Sequence, residues 1–230
     1  MSSQTYPRGV PEAAVARLPA YRRALIALKE SGASNVASRE LAAASGVHPA
    51  QLRKDLSYLG SYGVRGVGYD VPQLYAQITA ELGLTQEWPV AIVGMGNLGR
   101  ALVAYGGFYN RGFRIEALVD DDLEIVGAEF GGQRVQSLAE LAASGIALDF
   151  GVITTPAHSA NAVADVLVSL GVHSILNFAA ITLDVPDTVG VRRVDLSTEL
   201  EILAFHAKRR GQSAPPIALS RNAAVGGGPR

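Results

Sequence analysis

Cysteine is absent from the 230 residues, which excludes disulfides, thiolate metal sites and cysteine nucleophiles and fits a reducing compartment. Lysine is scarce: Lys29, Lys54 and Lys208 are the only three, so the middle of the chain holds no Tyr-x-x-x-Lys catalytic pair. No apolar run approaches the ~20 residues of a membrane span, and the first residues carry no apolar signal core. A soluble, cytoplasmic protein without a membrane partner is expected. His48, His158, His173 and His206 stand apart from one another, so no metal site is expected; His158 reads as a surface residue, because no partner that would orient it as a base can be identified.

Charge of one sign is in short supply at the ends. Residues 1–70 carry a net +4, residues 71–200 a net −9 and the last thirty a net +4, although the whole chain sums to −1. The N-terminal part can meet a polyanion; the middle cannot.

Glycine is plentiful and placed. In residues 89–99, Val90, Ala91, Ile92 and Val93 read as a buried strand; Gly94, Gly96 and Gly99 form Gly-x-Gly-x-x-Gly with Met95, Asn97 and Leu98 between them. Leu98, Leu102 and Val103 then resume at helical spacing. Such a turn needs Gly94 for its tightness, Gly96 for backbone approach to a pyrophosphate and Gly99 for close helix packing. The helix N-terminus would face the phosphates with unpaired N–H groups. A second strand over 115–119 ends at Asp120, 21 residues beyond Gly99. An acidic side chain there accepts hydrogen bonds from an adenosine ribose and repels a 2′-phosphate, so NAD+ and NADH are expected over their phosphorylated forms. Further strands over 148–154 and 174–178 put Thr154, Thr155 and Pro156, then Asn177 and Phe178, at carboxyl ends, the crevice side of an open parallel sheet.

Ahead of this α/β region lie helices over 11–17 and 19–29, then one over 39–44 capped by Ser38, a turn at 45–47 and a helix over 49–59. That is helix-turn-helix spacing. Leu52, Leu56 and Leu59 make the buried stripe of the last helix and leave Gln51, Arg53, Lys54, Ser57 and Tyr58 outward, residue types that meet bases and phosphates in a major groove. Residues 60–69, with four glycines among aromatic and branched residues, read as a wing with Arg65 near its tip, suited to a minor groove. A helix over 71–84 and a linker at 85–88 follow. At the far end a strand over 192–196 precedes a helix capped by Thr198 with Glu201 as a capping box. Its apolar residues Leu200, Ile202, Leu203 and Phe205 require burial in this subunit or in a partner.

These residues read as two joined modules. The expected fold class is α/β: an N-terminal winged-helix domain (11–84), a doubly wound Rossmann-type sheet (85–196) and a terminal helix (197–210), with disorder over 1–10 and 211–230. An NAD-dependent dehydrogenase and a CoA-binding module remain as alternatives.

The chain also resembles a known family over roughly residues 10–205, the bacterial redox-sensing transcriptional repressor Rex. The resemblance is carried by Arg17-Leu18-Pro19-x-Tyr21-x-Arg23, by the run from Arg53-Lys54-Asp55-Leu56-Ser57-Tyr58 through Arg65 to Tyr69, and by Gly94-Met95-Gly96-x-Leu98-Gly99. It continues in Ile175-Leu176-Asn177-Phe178-Ala179 and Val194-Asp195. It implies a homodimer with a swapped terminal helix, in which Arg53, Lys54 and Arg65 contact double-stranded operator DNA. It further implies that Tyr105 senses the nicotinamide and that Arg23 pairs with Asp195 of the partner subunit when NADH is bound. Leu196 is a departure, standing where some relatives carry an aromatic residue.

Overall fold

The structure is a computed structural model that describes residues 9–60, 63–64 and 67–213. The expected disorder of the first residues, the wing-tip residue Arg65 and the tail from 214 to 230 lie outside the described residues. Two compact units form: one comprises the residues up to Val90 with Ala104–Glu116, the other Ala91–Val103 with the residues from Ala117 on.

The first unit begins with the short α1 (Glu12–Val15) and with α2 (Leu18–Glu30), whose Pro19 sits where a missing N–H costs nothing. Leu18, Tyr21, Ala24 and Leu25 recur at helical spacing and are buried. After β1 (Asn35–Val36), α3 (Ser38–Ala44) and α4 (Pro49–Leu59) form the helix-turn-helix, turned by Gly46 at φ +69°. Ser38 is not the cap. The chain enters α3 from β1 through extended Ala37, and Ser38 is already helical with no capping bond. At α4 the cap is His48, whose Nδ1 accepts from the Ala50 N–H at 3.3 Å.

β2 (Gly63–Val64) and β3 (Gly68–Asp70) form the wing hairpin, with Gly63 opposite Tyr69 and Val64 opposite Gly68. β1 adds a third antiparallel strand through Asn35–Asp70 and Val36–Tyr69, which a two-residue segment gives no periodicity to reveal. Gly68, at φ +98°, lies so close to this strand that a Cβ would collide with the Val36 carbonyl oxygen. Asp70 then caps α5 (Val71–Glu81) by accepting from Gln73 N at 2.8 Å. Tyr21, Leu25, Leu41, Leu52, Leu56, Leu74 and Ile78 fill one core. Each of these leucines and Ile78 contributes roughly 1.5–3 kcal/mol by burial.

The α/β part of the chain is organised on a seven-stranded sheet of order β10-β9-β8-β4-β5-β7-β6. Its strands are β4 (Trp88–Val93), β5 (Phe113–Val119), β6 (Glu129–Phe130), β7 (Gln133–Gln136), β8 (Phe150–Ile153), β9 (Ser174–Asn177) and β10 (Gly190–Arg193). The pairs β10–β9, β9–β8 and β5–β7 are parallel, whereas β6 and β7 are an antiparallel hairpin about Gly131 and Gly132. Trp88, expected in the linker, opens β4, and its indole N–H donates to the Gly83 carbonyl at 2.8 Å. α6 (Asn97–Ala104), α7 (Leu138–Ala143) and α8 (Ala157–Ser169) connect the strands. Two- to four-residue strands such as β6 and β7 again escape a reading based on alternation.

The last element is α9 (Leu196–Ser213). It starts two residues before Thr198 because Asp195 caps it: Oδ1 accepts from the N–H groups of Ser197 at 3.0 Å and Thr198 at 3.3 Å. The expected Thr198–Glu201 capping box does not form, since both residues are inside the helix, and the preceding strand ends at Arg193 rather than Leu196. The helix also continues past Arg210 to Ser213, into the stretch expected to be disordered.

Candidate functional site

Strand order in the sheet turns at β4: β5 and β7 lie to one side, β8, β9 and β10 to the other. Open α/β sheets bind ligands at this reversal, beyond the carboxyl ends of the strands. A cleft of about 560 Å³ lies there, lined by Gly94, Gly96, Asp120 and the Thr154–Pro156 segment among others. The three glycines differ in what surrounds them. Gly94 is at φ +103°, with Thr154 and Thr155 backbone 2.8 Å from where a Cβ would stand; at Gly99 a Cβ would collide with the Gly94 carbonyl oxygen. Around Gly96 nothing lies within 4 Å of the added atom, so this stretch of backbone is open to a ligand.

The loop is braced from two directions. Asp120 Oδ2 accepts from the Met95 N–H at 2.6 Å and Oδ1 from the Asp122 N–H at 2.9 Å. Arg100, which sequence reasoning did not single out, donates from Nε to the Met95 carbonyl at 2.7 Å and stacks over the Phe130 ring at 4.7 Å. The Met95 residue is thereby held at both ends by side chains of opposite charge. Asp120 keeps acceptor capacity for hydroxyl groups, since a carboxylate offers about four lone-pair sites. Opposite, the Thr154 hydroxyl donates to the Gly94 carbonyl at 2.6 Å, while the Thr155 hydroxyl is buried with no hydrogen-bond partner among the described residues. A buried donor of this kind is costly unless a ligand uses it.

Other expected site residues do not line this cleft. Asn97 and Leu98 are exposed on the first turn of α6, and Met95 is fully buried. Asn177 is buried and spends its amide on the following loop, donating to Ile181 O at 2.9 Å and accepting from Ala179 N at 2.9 Å. Phe178 is half-buried. Tyr105 is half-exposed and packs edge-on against Phe108, with ring centroids 5.5 Å apart.

In the first unit, α4 exposes Arg53, Lys54, Ser57 and Tyr58 as expected, and among the described residues neither Arg53 nor Lys54 has an ion-pair partner. Gln51 differs: it is half-buried and its Nε2 donates to Asp55 Oδ1 at 2.7 Å. Asp55, buried on the inner side of the helix, also accepts from Arg17 Nε at 2.6 Å and Nη2 at 2.8 Å and from the Tyr21 hydroxyl at 2.6 Å. Burial opposes its ionisation, but the bonds from Arg17, Tyr21 and Gln51 and the charge of Arg17 outweigh it and hold the carboxyl below the usual range. Conversely, Asp55 raises the pKa of Arg17, and burial with the bond to Asp55 raises that of Tyr21. The network anchors α4 to the start of α2. Its one trace in the sequence is the Gln51–Asp55 spacing of four, a favourable helical pair.

Residues 9–57 match the family described as "Putative DNA-binding protein N-terminus", and residues 85–181 match the "CoA binding domain". The chain is 57% identical to the redox-sensing transcriptional repressor Rex of Streptomyces avermitilis, covering 96% of this chain and 90% of the relative. With the protein of the same description from Desulfitobacterium hafniense the identity is 43%, over 87% of this chain and 97% of that one. The chain belongs to the Rex family. Solved Rex-family structures agree in fold. RSP in complex with beta-NAD+ and operator DNA superposes with a TM-score of 0.82 at 33% identity, over 89% of this chain and 99% of that one. RSP in complex with beta-NADH gives 0.80 at 32% identity, over 88% and 96%.

Against this Rex background, α9 of the present chain is notable for what it leaves uncovered. Leu196, Leu200, Leu203 and Phe205 are 64%, 66%, 57% and 56% exposed. The burial that their apolar character requires is therefore not met by the described residues of this chain. At its start, Asp195 accepts from Arg193 Nη2 at 2.9 Å, and the bonds from Thr198, Ser197 and Arg193 keep its carboxyl below the usual range. Among the described residues no group of three or more His, Asp or Glu could hold a metal ion, and no helix is long and apolar enough to cross a membrane.

Proposed function

We propose that this Rex-family chain is a homodimeric transcriptional repressor that reads the NADH/NAD+ ratio, binding operator DNA when NADH is low and releasing it when NADH binds. The observation that carries the reading is the pairing, in one chain, of an exposed cationic helix-turn-helix with an open glycine-loop cleft at a sheet reversal. Family membership supports it, because RSP binds beta-NAD+, beta-NADH and operator DNA. Phosphates lie along Gly96 and the α6 N-terminus, the adenosine ribose beside Asp120, and Thr155 donates its free hydroxyl to the ligand. Arg53, Lys54 and the wing's Arg65 meet DNA, and Tyr105, Phe178 and Asn177 belong to the nicotinamide side.

Dimerisation rests on the uncovered stripe of α9, which a second copy would bury. A dimer presents two copies of α4, whose spacing must match half-sites about one helical turn, or a multiple, apart. NADH acts by binding the DNA-incompetent arrangement better than the competent one; only such differential affinity can couple the sites. In the NADH state Arg23 pairs with Asp195 of the partner subunit, which must then give up or share its present bond to Arg193.

The match of residues 85–181 to the CoA-binding family favours one second reading, a CoA receptor. The cleft argues for NAD(H): Asp120, Asp121 and Asp122 line it, and CoA carries an additional ribose phosphate that three carboxylates repel. Titration calorimetry with NADH, NAD+, NADPH and CoA tests this. NADH is expected to bind one per subunit, with NADPH weaker and CoA silent; tight CoA binding without an NADH signal overturns the reading.

A further inference from the structure

The side-chain amide of Gln51 has one orientation open to it. Its end facing Asp55 stands 2.7 Å from Oδ1. A carboxylate only accepts, so that end is the nitrogen, and the carbonyl oxygen is turned away. Asp55 cannot move to relax this: it is 1% exposed and held by both the Arg17 guanidinium and the Tyr21 hydroxyl. The Arg17 charge also neutralises it, so the arrangement does not set a bare carboxylate against a phosphate backbone. Gln51 is the third residue of α4, in the N-terminal turn from which recognition helices reach base edges. Its Oε1 accepts nothing among the described residues.

We infer that Asp55 turns the Gln51 Oε1 outward as an acceptor at the DNA surface, so that the base bonded by that oxygen carries an exocyclic amine in the major groove. Adenine N6 and cytosine N4 qualify; guanine, with O6 and N7, and thymine, with O4, present only acceptors to that oxygen. Adenine is the better fit, since its N7 can also take the second N–H of the amide. Asp55 and Arg17 are positioning residues here: they touch no base, yet they determine which one is chosen. The inference rests on α4 being the DNA-reading helix.

The test uses the full chain, free of NADH, to select duplexes from a double-stranded library with a randomised core at fixed salt. In the selected duplex each adenine is then replaced by purine and each cytosine by 2-pyrimidinone, which lack the amine, and affinities are read by fluorescence anisotropy. At one position per half-site, loss of the amine is expected to weaken the native chain roughly 5- to 100-fold. The same replacement should leave Gln51→Ala unchanged. Asp55→Asn, verified as folded by its melting transition, frees the amide to turn and should admit guanine or thymine at that position. If no amine replacement distinguishes the native chain from Gln51→Ala, or if folded Asp55→Asn keeps the native preference, the inference is overturned while DNA reading stands. A chain that selects no sequence at all overturns DNA reading itself.

Discussion

Asp55 concentrates the residue-scale chemistry of the first unit. Its carboxylate takes two bonds from Arg17 and one each from Tyr21 and Gln51, so Asp55→Asn removes the guanidinium's counter-charge and leaves one acceptor oxygen for donors that share two. Removing such a charge is expected to cost about 2–3 kcal/mol. The sign of its pH dependence follows from the lowered pKa: the contribution is complete above the unfolded value near ~4 and fades as pH falls through the native one. Urea unfolding of the native chain and Asp55→Asn should therefore differ by that amount at pH 7, with the gap narrowing as pH drops below about 4. A gap constant from pH 7 to pH 3 contradicts the assignment. Nothing in the sequence forecasts the partner, because Arg17 and Asp55 are 38 positions apart; only the Gln51 end of the network is local.

Elements were legible where a repeating constraint acts on many residues. The leucine stripe of α4 and the glycine loop between β4 and α6 were both readable, the first because burial imposes a period and the second because three glycines answer three separate steric demands. β1, β6 and β7 were not, since two to four residues carry no period, and their pairing depends on partners distant in sequence. The start of α9 differs from the expected one because two capping solutions compete there. An aspartate caps as well as a threonine does, and Asp195 takes the cap position three residues earlier. In the cleft, Gly96 and Asp120 could be named from spacing alone, whereas Arg100 owes its place to Met95 and Phe130 and has no sequence signature. The uncovered face of α9 carries its own prediction. Leu200→Asp combined with Leu203→Asp should convert a dimer into monomers by sedimentation velocity while the melting of the winged-helix unit is retained. Unchanged dimers would remove α9 from the interface.

On the scale of the molecule, the chain joins a polyanion-binding unit of net positive charge to an acidic, ligand-binding one, and the proposed regulation is a coupling free energy between them. Coupling of this kind amounts to 1–3 kcal/mol in typical cases, or about 5- to 150-fold in affinity. Because phosphate contacts make DNA affinity steeply salt-dependent, the comparison has meaning only at one ionic strength. The most direct measurement is fluorescence anisotropy of the library-selected duplex with the full chain, in saturating NADH and in saturating NAD+, at the same salt. The account predicts that NADH weakens operator binding at least about ten-fold relative to NAD+; equal affinity in the two, or tighter binding with NADH, contradicts it.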